Sequence, residues 1–440
     1  MSITKEYISI LIPLILTVFA SFMYSIIDSY FISLLGEEQL AGIGLVSPMN
    51  FLMISLAYSV ASGVGIILSQ AHGGNNLSRI KLYIFVGTLI TMVLSLVLIV
   101  LFTFFETTIF NSYAASENII NYAKEYYSIW IYLILIEGIV ALYTQSLNSI
   151  GKVKIATQIQ ISFLFLNIFL NYVLMFGVEG YIEAMGISGV ALATLISKIL
   201  MFIVLIIILK SQIKIVKSKK LLKIAYLKIM HLVPSVAMQG SMMPISMYII
   251  SILISKYGSS VIAAYVLTIR LEYIYLIISM ATGSVVTILA SKYEGQKQFS
   301  KVIDVFKLTN RINIVWGLVI ILFTTFYIDI IGDLFLTEPE TKKIFNFIWG
   351  IAVYGYIAWG LQITIQKMML VLGFPKYSFY IALIRALVFF LGITMIMEYF
   401  FGLEGYVYSN MLQNYVAVGI STYIFFRIIN HEKYKNVNII

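Results

Sequence analysis

The sequence contains no cysteine, only 6 prolines and few charged residues, which make up 11% of its 440 positions. The absence of cysteine excludes disulfides, thiolate zinc sites and iron–sulfur ligation. The shortage of charge excludes an ordinary water-soluble domain, in which about a quarter of the residues are charged. Hydrophobic residues instead reach 61%, and the mean hydropathy is +0.97. This composition predicts a protein whose surface faces lipid.

Twelve apolar segments are long enough to be transmembrane helices, because ~20 residues at ~1.5 Å each cross the ~30 Å hydrocarbon core of a bilayer. The first of them is too long to be the core of a signal peptide. The segments are 7–35, 44–69, 82–105, 126–149, 156–177, 186–209, 229–255, 261–290, 312–336, 345–371, 377–400 and 404–426. The sequence therefore predicts an all-α membrane protein with twelve transmembrane helices.

Basic side chains follow the alternation of the predicted loops. Of 29 lysines and arginines, 22 fall at the two termini and in the links after even-numbered spans, 4 fall on the opposite side, and 3 lie within spans. Because cytoplasmic loops are enriched in Lys and Arg, both termini of this multi-pass cell-membrane protein are predicted to be cytoplasmic. The net charge of +9 is explained by this topology. No nucleic-acid partner is expected, since the basic residues form no groove-like cluster.

The two halves of the chain repeat each other. Landmarks shared at an offset of 222 residues are Gly36 and Gly258, Gly73 and Gly295, and Gly151 and Gly373; segment 186–191 matches 402–407 at an offset of 216. Six spans per half give both repeats the same orientation. We predict an N-terminal lobe at 1–209, a basic cytoplasmic linker at 210–228 and a C-terminal lobe at 229–440. The linker is either a helix lying on anionic membrane lipid or a simple positively charged tether.

Several motifs resemble those of the multidrug and toxic compound extrusion (MATE) family. They are Pro13, residues 28–32 and Gly36 in the first span, residues 69–73 after the second, and residues 186–194 at the start of the sixth. The resemblance covers the whole chain. It implies two six-helix lobes that form a V-shaped central cavity, in a secondary active multidrug efflux transporter. Such a protein exports small organic compounds, typically cations, by antiport with Na⁺ or H⁺, without another cofactor; we expect a monomer.

A carboxylate buried in hydrocarbon must pair, bind a cation or take up a proton, and Asp28 lies deep in the first span. The resemblance assigns Asp28 to the cation-coupling site of the family, together with Asn167 and Asn171 in span five and Thr194 in span six. These oxygens suit Na⁺, while a desolvated Asp28 would also serve H⁺. Some relatives carry Asp where Asn171 stands, which leaves the choice of ion open. Hydrogen bonding between helices is the alternative role for these residues.

Five further charges lie within the spans and are second-rank candidates. Glu137 and Lys198 have similar depths in spans four and six, which predicts an ion pair. Glu272 is expected to pair with Arg385 rather than with Arg270, two positions away on the same helix. Some branches of the MATE family, which this sequence resembles, use acids in spans seven and ten for cation coupling, but these spans contain no Asp or Glu here. Cation coupling is therefore predicted in the N-terminal lobe.

The sequence also bears on two other classes of function, an enzyme and a flippase. The three histidines are scattered, and the sequence contains no Walker A, HExxH or Gly-x-Ser-x-Gly motif, so an enzyme is not predicted. A lipid-linked oligosaccharide or polysaccharide flippase of the same superfamily is the main alternative, because Lys198, Arg270 and Arg385 could bind pyrophosphate. In that case the substitution of Asp28 should be tolerated.

Overall fold

The computed structural model of the chain describes residues 2–111, 113, 116–210, 218–336 and 338–432. Its helices are α1 (Ile3–Ser33), α2 (Glu37–Gly73), α3 (Leu77–Asn111), α4 (Glu117–Ser149), α5 (Val153–Phe176), α6 (Gly186–Leu209), α7 (Lys219–Met230), α8 (Val233–Ser255), α9 (Ser259–Val285), α10 (Ser291–Gly295), α11 (Phe299–Phe335), α12 (Pro339–Val371), α13 (Pro375–Ile384) and α14 (Thr394–Glu432). Two π-helical segments, Val286–Ala290 and Arg385–Ile393, connect α9 to α10 and α13 to α14.

Eleven continuous helical stretches in the described part of the chain are long and apolar enough to cross a membrane. The last of these, Pro375–Ile428, has 54 residues, which is about twice the length that a bilayer requires. It is interrupted at Gly402, whose φ of 61° and ψ of −142° are not helical. This break divides the stretch into two spans, and the predicted all-α fold with twelve transmembrane helices is confirmed.

Most of the backbone positions with positive φ recur in both halves; Gly177 and Gly180 are the exceptions. Gly402 and its repeat partner Gly186 have φ values of 61° and 55°, a left-handed conformation that glycine adopts without steric cost. Even the two non-glycine residues with positive φ, Asn75 and Lys297, are 222 positions apart. Further pairs with positive φ are Gly36 with Gly258 and Gly151 with Gly373. The internal repeat is therefore present in local conformation as well as in sequence.

The first unit comprises Ile12–Pro244. Within it α2 and α4 pack closely, and small side chains allow the helices to approach. Gly138 of α4 is an example, because a Cβ at that position would lie 2.9 Å from Cγ2 of Thr91 on α3. A cluster that includes Ile32, Met53, Trp130 and other buried apolar residues forms the core near the C-terminal half of α1. This core surrounds the candidate site with hydrocarbon.

The second unit comprises Met1–Leu11 with Ile245–Ile440. Its centre is a neutral polar network around Asn313 of α11, which accepts a hydrogen bond from Ser279 at 3.1 Å and donates one to Thr364 at 3.2 Å. The start of α1 belongs to this unit because the Tyr7 hydroxyl is 2.9 Å from Thr309 Oγ1 and Glu6 pairs with Lys292 at 2.7 Å. The boundaries of the compact units therefore differ from those of the sequence repeat.

The predicted linker is described only in part, since residues 211–217 lie outside the described structure. Its second half forms α7, which is capped by the Ser218 hydroxyl. Ala225 and Ile229 are buried, and Lys228 lies 5.8 Å from the centre of the Tyr83 ring on α3. The last part of the linker thus packs against the first unit as a short amphipathic helix.

Candidate functional site

Asp28 lies near the C-terminal end of α1, five residues before the helix ends at Ser33. Its side chain is only 8% exposed. The apolar residues Phe31 and Ile32 beside it belong to the buried core of the first unit. A carboxylate in such surroundings requires hydrogen-bond donors or a bound cation.

The structure brings all four predicted cation-site residues together. Asn171 Nδ2 donates to Asp28 Oδ1 at 2.8 Å, and Thr194 Oγ1 donates to Asp28 Oδ2 at 3.0 Å. Asn167 Nδ2 in turn donates to Thr194 Oγ1 at 3.0 Å. The two asparagines lie four residues apart on one face of α5, and both are fully buried. The network therefore links α1, α5 and α6 around one carboxylate.

The donors in this network are neutral, so they solvate the carboxylate of Asp28 without balancing its charge. Moreover, Asn171 Oδ1 is buried and accepts no hydrogen bond from the described residues. A buried carbonyl oxygen without a donor is costly, unless a cation takes the place of the donor. The carboxylate, the two amide oxygens and the Thr194 hydroxyl are hard ligands of the kind that Na⁺ accepts, and a proton on Asp28 would equally remove the charge. The residues present fit either monovalent cation.

Glu137 and Lys198 form the ion pair that their depth predicts. Lys198 Nζ lies 3.0 Å from Glu137 Oε2, and both side chains are buried. The Tyr58 hydroxyl donates to Glu137 Oε1 at 2.9 Å, and the ammonium of Lys198 lies 4.4 Å from the centre of the Tyr24 ring. The charge of each partner is therefore compensated within the first unit.

Among the described residues no salt bridge joins Glu272 to Arg385, so the expected partnership of these two charges stays a prediction. Arg385 Nη2 instead donates to Asn414 Oδ1 at 2.8 Å, and its guanidinium lies 5.6 Å from the centre of the Trp359 ring. Glu272 interacts with Arg385 only through space. Arg385 begins a π-helical segment, whose wider turn changes the direction of the side chains that follow. Arg270 is exposed on α9.

Sequence reasoning did not identify Tyr24 and Tyr58 as part of this charged cluster. Tyr24 could have been found, because it precedes Asp28 by four residues and therefore lies on the same helical face. Tyr58 gave no such signal, since its contact with Glu137 joins α2 to α4. The internal repeat also relates this cluster to Arg385. Its two contacts, Trp359 and Asn414, occupy the repeat positions of Glu137 and Lys198. In the second unit the deep cation Arg385 contacts these two positions, whereas in the first unit the deep cation Lys198 occupies one of them and contacts the other.

Comparison with known proteins agrees with the geometry of the fold. The MatE family model matches residues 13–173 and 234–396, one stretch in each half. The FAD transporter of Shewanella oneidensis is 23% identical over 430 residues, covering 96% of this chain and 94% of that protein. The probable multidrug resistance protein YoeA of Bacillus subtilis is 26% identical over 332 residues, covering 74% and 72%. An Asp-to-Asn variant of the Vibrio cholerae MATE transporter VcmN has the same fold, with a TM-score of 0.91 at 17% identity and 98% coverage of both chains.

Proposed function

Because the chain belongs to the MatE family of membrane transporters, we propose that it is a secondary active exporter of small organic compounds. It couples their export to the entry of Na⁺ or H⁺ through Asp28. The observation that carries this proposal is a buried carboxylate held only by neutral donors from Asn171 and Thr194. The protein is a multi-pass membrane protein; residence in the cell membrane with both termini in the cytoplasm follows from the distribution of basic residues among its loops.

Cation binding at Asp28 would act on three helices at once. An antiporter requires a site whose occupancy changes which conformation is favoured. Neutralising Asp28 weakens its hydrogen bonds to α5 and α6, because charge-assisted bonds are about twice as strong as neutral ones. Loss of those bonds changes the energy of the α1 position relative to α5 and α6. Occupancy by Na⁺ or H⁺ is thereby converted into a bias on helix packing.

The test measures efflux of an organic-cation dye from inside-loaded vesicles, with Na⁺ and H⁺ gradients imposed separately. Asp28→Asn keeps the side-chain volume and removes the charge, so it should insert normally but lose gradient-driven efflux. Glu398→Gln is the matched control, because this equally buried carboxylate lies in the second unit, where it contacts Lys256 and Tyr257. It should retain coupling to the gradient. Wild-type efflux rates in the Asp28→Asn protein would overturn the proposed mechanism.

A second candidate is the export of compounds that carry phosphate groups. It is favoured by Arg385, whose hydrogen-bond and ring partners Asn414 and Trp359 are neutral, and by the exposed Arg270 in the middle of α9. Two arginines within spans suit an anionic substrate group. The similar Shewanella oneidensis protein is named an FAD transporter, and FAD contains a pyrophosphate.

This second candidate is tested with FAD-loaded vesicles and the variants Arg270→Ala and Arg385→Ala. If the substrate is anionic, both variants should lose FAD efflux, while Asp28→Asn should lose only the dependence on the ion gradient. If the substrates are organic cations, wild-type protein should move the dye and leave FAD inside the vesicles. A lipid-linked oligosaccharide also carries a pyrophosphate, so its transport would require the same arginines. In that case no efflux of free FAD would be observed.

A further inference from the structure

We propose that Lys198 is an internal counter-ion of the coupling site, whose ammonium competes with the transported cation for Asp28 and moves to Glu137 when that cation binds. Lys198 can act in this way only if Asp28 is the coupling carboxylate proposed above. The role differs from that of a structural ion pair, because it makes the partner of Lys198 depend on the occupancy of a neighbouring site.

Lys198 and the Tyr24 ring that it contacts lie one helical turn from the coupling network, on α6 and α1 respectively. Thr194 and Lys198 are four residues apart on α6, and Tyr24 and Asp28 are four residues apart on α1, so each pair lies on one helical face. Thr194 contacts Asp28 at 3.0 Å, while Lys198 contacts the ring of Tyr24 at 4.4 Å. Four residues correspond to ~6 Å along a helix. Lys198 therefore lies about one turn from Asp28, with the face of the Tyr24 ring beside it.

The net charge of the cluster would be balanced by one monovalent cation. Asp28 and Glu137 are each negative when ionised, and Lys198 is positive, so three buried groups carry one uncompensated negative charge. Glu137 has two partners, Lys198 and Tyr58, whereas Asp28 is bonded only to neutral groups. A single Na⁺ or H⁺ balances the cluster when Lys198 is paired with Glu137. Without that cation, the ammonium is attracted by two carboxylates.

The surroundings allow the ammonium to move and offer it no other anionic partner. Lys198 is the charged group that acts on Asp28 through space among the described residues. The other titratable groups that face the cluster are tyrosines: Tyr24 on α1, Tyr58 on α2 and Tyr126 on α4. A lysine has a flexible stem of four carbons and three donors, and the π-face of Tyr24 attracts an ammonium along the way.

The second unit lacks this arrangement. Its deep cation Arg385 contacts Asn414 and Trp359, at the repeat positions of Lys198 and Glu137. The repeat position of Asp28 is Ile250, which is buried and apolar. A competing counter-ion is therefore confined to the unit that contains the coupling carboxylate, as expected if the two features work together.

The decisive experiment compares Lys198→Met and Glu137→Gln for their response to the cation. Purified protein in detergent is titrated with Na⁺ at constant pH, and in a second series with acid in Na⁺-free buffer, while its melting temperature is measured. A ligand that binds the folded state raises that temperature, so each titration gives a half-saturating concentration. Lys198→Met removes the competitor and should lower this concentration about tenfold; Glu137→Gln frees the competitor for Asp28 and should raise it by a similar factor.

If the Lys198 ammonium does not compete for Asp28, Lys198→Met should leave the half-saturating concentration unchanged or raise it, and either result overturns the counter-ion role. The double variant Glu137→Gln with Lys198→Met lacks the ammonium and should bind the cation more tightly than Glu137→Gln alone. If Glu137→Gln does not fold, Lys198→Met against the wild type carries the test, and unchanged or weaker binding contradicts the role. A wild-type protein that does not respond to either cation, or an Asp28→Asn protein that responds normally, would instead contradict the coupling function of Asp28.

Discussion

Removing one partner of the Glu137–Lys198 ion pair should destabilise the protein more than removing both. The side chains of Glu137 and Lys198 are 9% and 6% exposed, and their charged atoms are 3.0 Å apart. Lys198→Met leaves the carboxylate of Glu137 with the Tyr58 hydroxyl alone, and Glu137→Gln leaves a buried ammonium beside the Tyr24 ring. An uncompensated buried charge costs about 3–5 kcal/mol, whereas the loss of both partners is often nearly neutral.

The assay is thermal unfolding of the detergent-solubilised protein at one pH and with the coupling cation in saturating excess, so that Asp28 is balanced and Lys198 has Glu137 as its anionic partner. In a unit as large as Ile12–Pro244, ~1 kcal/mol corresponds to ~2–4 °C. Each single variant should therefore lower the melting temperature by about 10 °C, and the double variant should recover at least half of that loss. The matched control is Lys342→Met, which removes an ion pair with Asp333 that is partly exposed to solvent. Because surface pairs contribute at most ~1 kcal/mol, it should shift the melting temperature by only a few degrees.

Additive losses in the double variant would refute the reasoning, since additivity means that the two charges do not compensate each other. A loss in Glu137→Gln alone, with Lys198→Met unchanged, would also refute it, because it would show that the unpaired carboxylate of Glu137 is not buried at a cost. Stability and cation affinity are separate measurements on the same variants, so the ion pair can be confirmed even if the counter-ion role of Lys198 fails.

Three further predictions follow from individual contacts. Asn171→Ala removes one neutral donor and one buried oxygen from the Asp28 network, so it should reduce the cation dependence of dye efflux without abolishing it, in contrast to Asp28→Asn. Gly138→Val should lower the melting temperature by the equivalent of about 1–3 kcal/mol, because its Cβ would crowd Thr91; a melting temperature equal to that of the wild type would contradict this packing. Since the protein has no cysteine, an impermeant maleimide should label Glu179→Cys only from outside the cell and Lys152→Cys only from the cytoplasmic side, and the reverse pattern would invert the topology.

The sequence was sufficient for features that depend on local chemistry. Hydrophobic length predicts the spans, because any helix that crosses the bilayer must present about 20 apolar residues to lipid. The repeat was also readable, since Gly36 and Gly258 mark turns whose positive φ excludes most other residues. Asp28 was identifiable because a carboxylate within hydrocarbon is costly whatever its neighbours are. The roles assigned to it and to Asn167, Asn171 and Thr194 stay predictions until coupling is measured.

The tertiary structure alone decided which distant side chains meet, because contacts between helices depend on the rotation of each helix about its axis. Tyr58 could not be assigned to Glu137 from spacing, since 79 residues separate them along the chain. The contact of Glu6 with Lys292, across 286 residues, places the start of α1 in the second unit, which no local pattern indicates. Arg385 shows the limit most clearly: Glu272 was its expected partner, but its guanidinium donates to Asn414 and lies over the Trp359 ring, at the start of a π-helical segment. One residue added to a helical turn rotates the side chains that follow by ~100° about the helix axis, which is enough to exchange one partner for another.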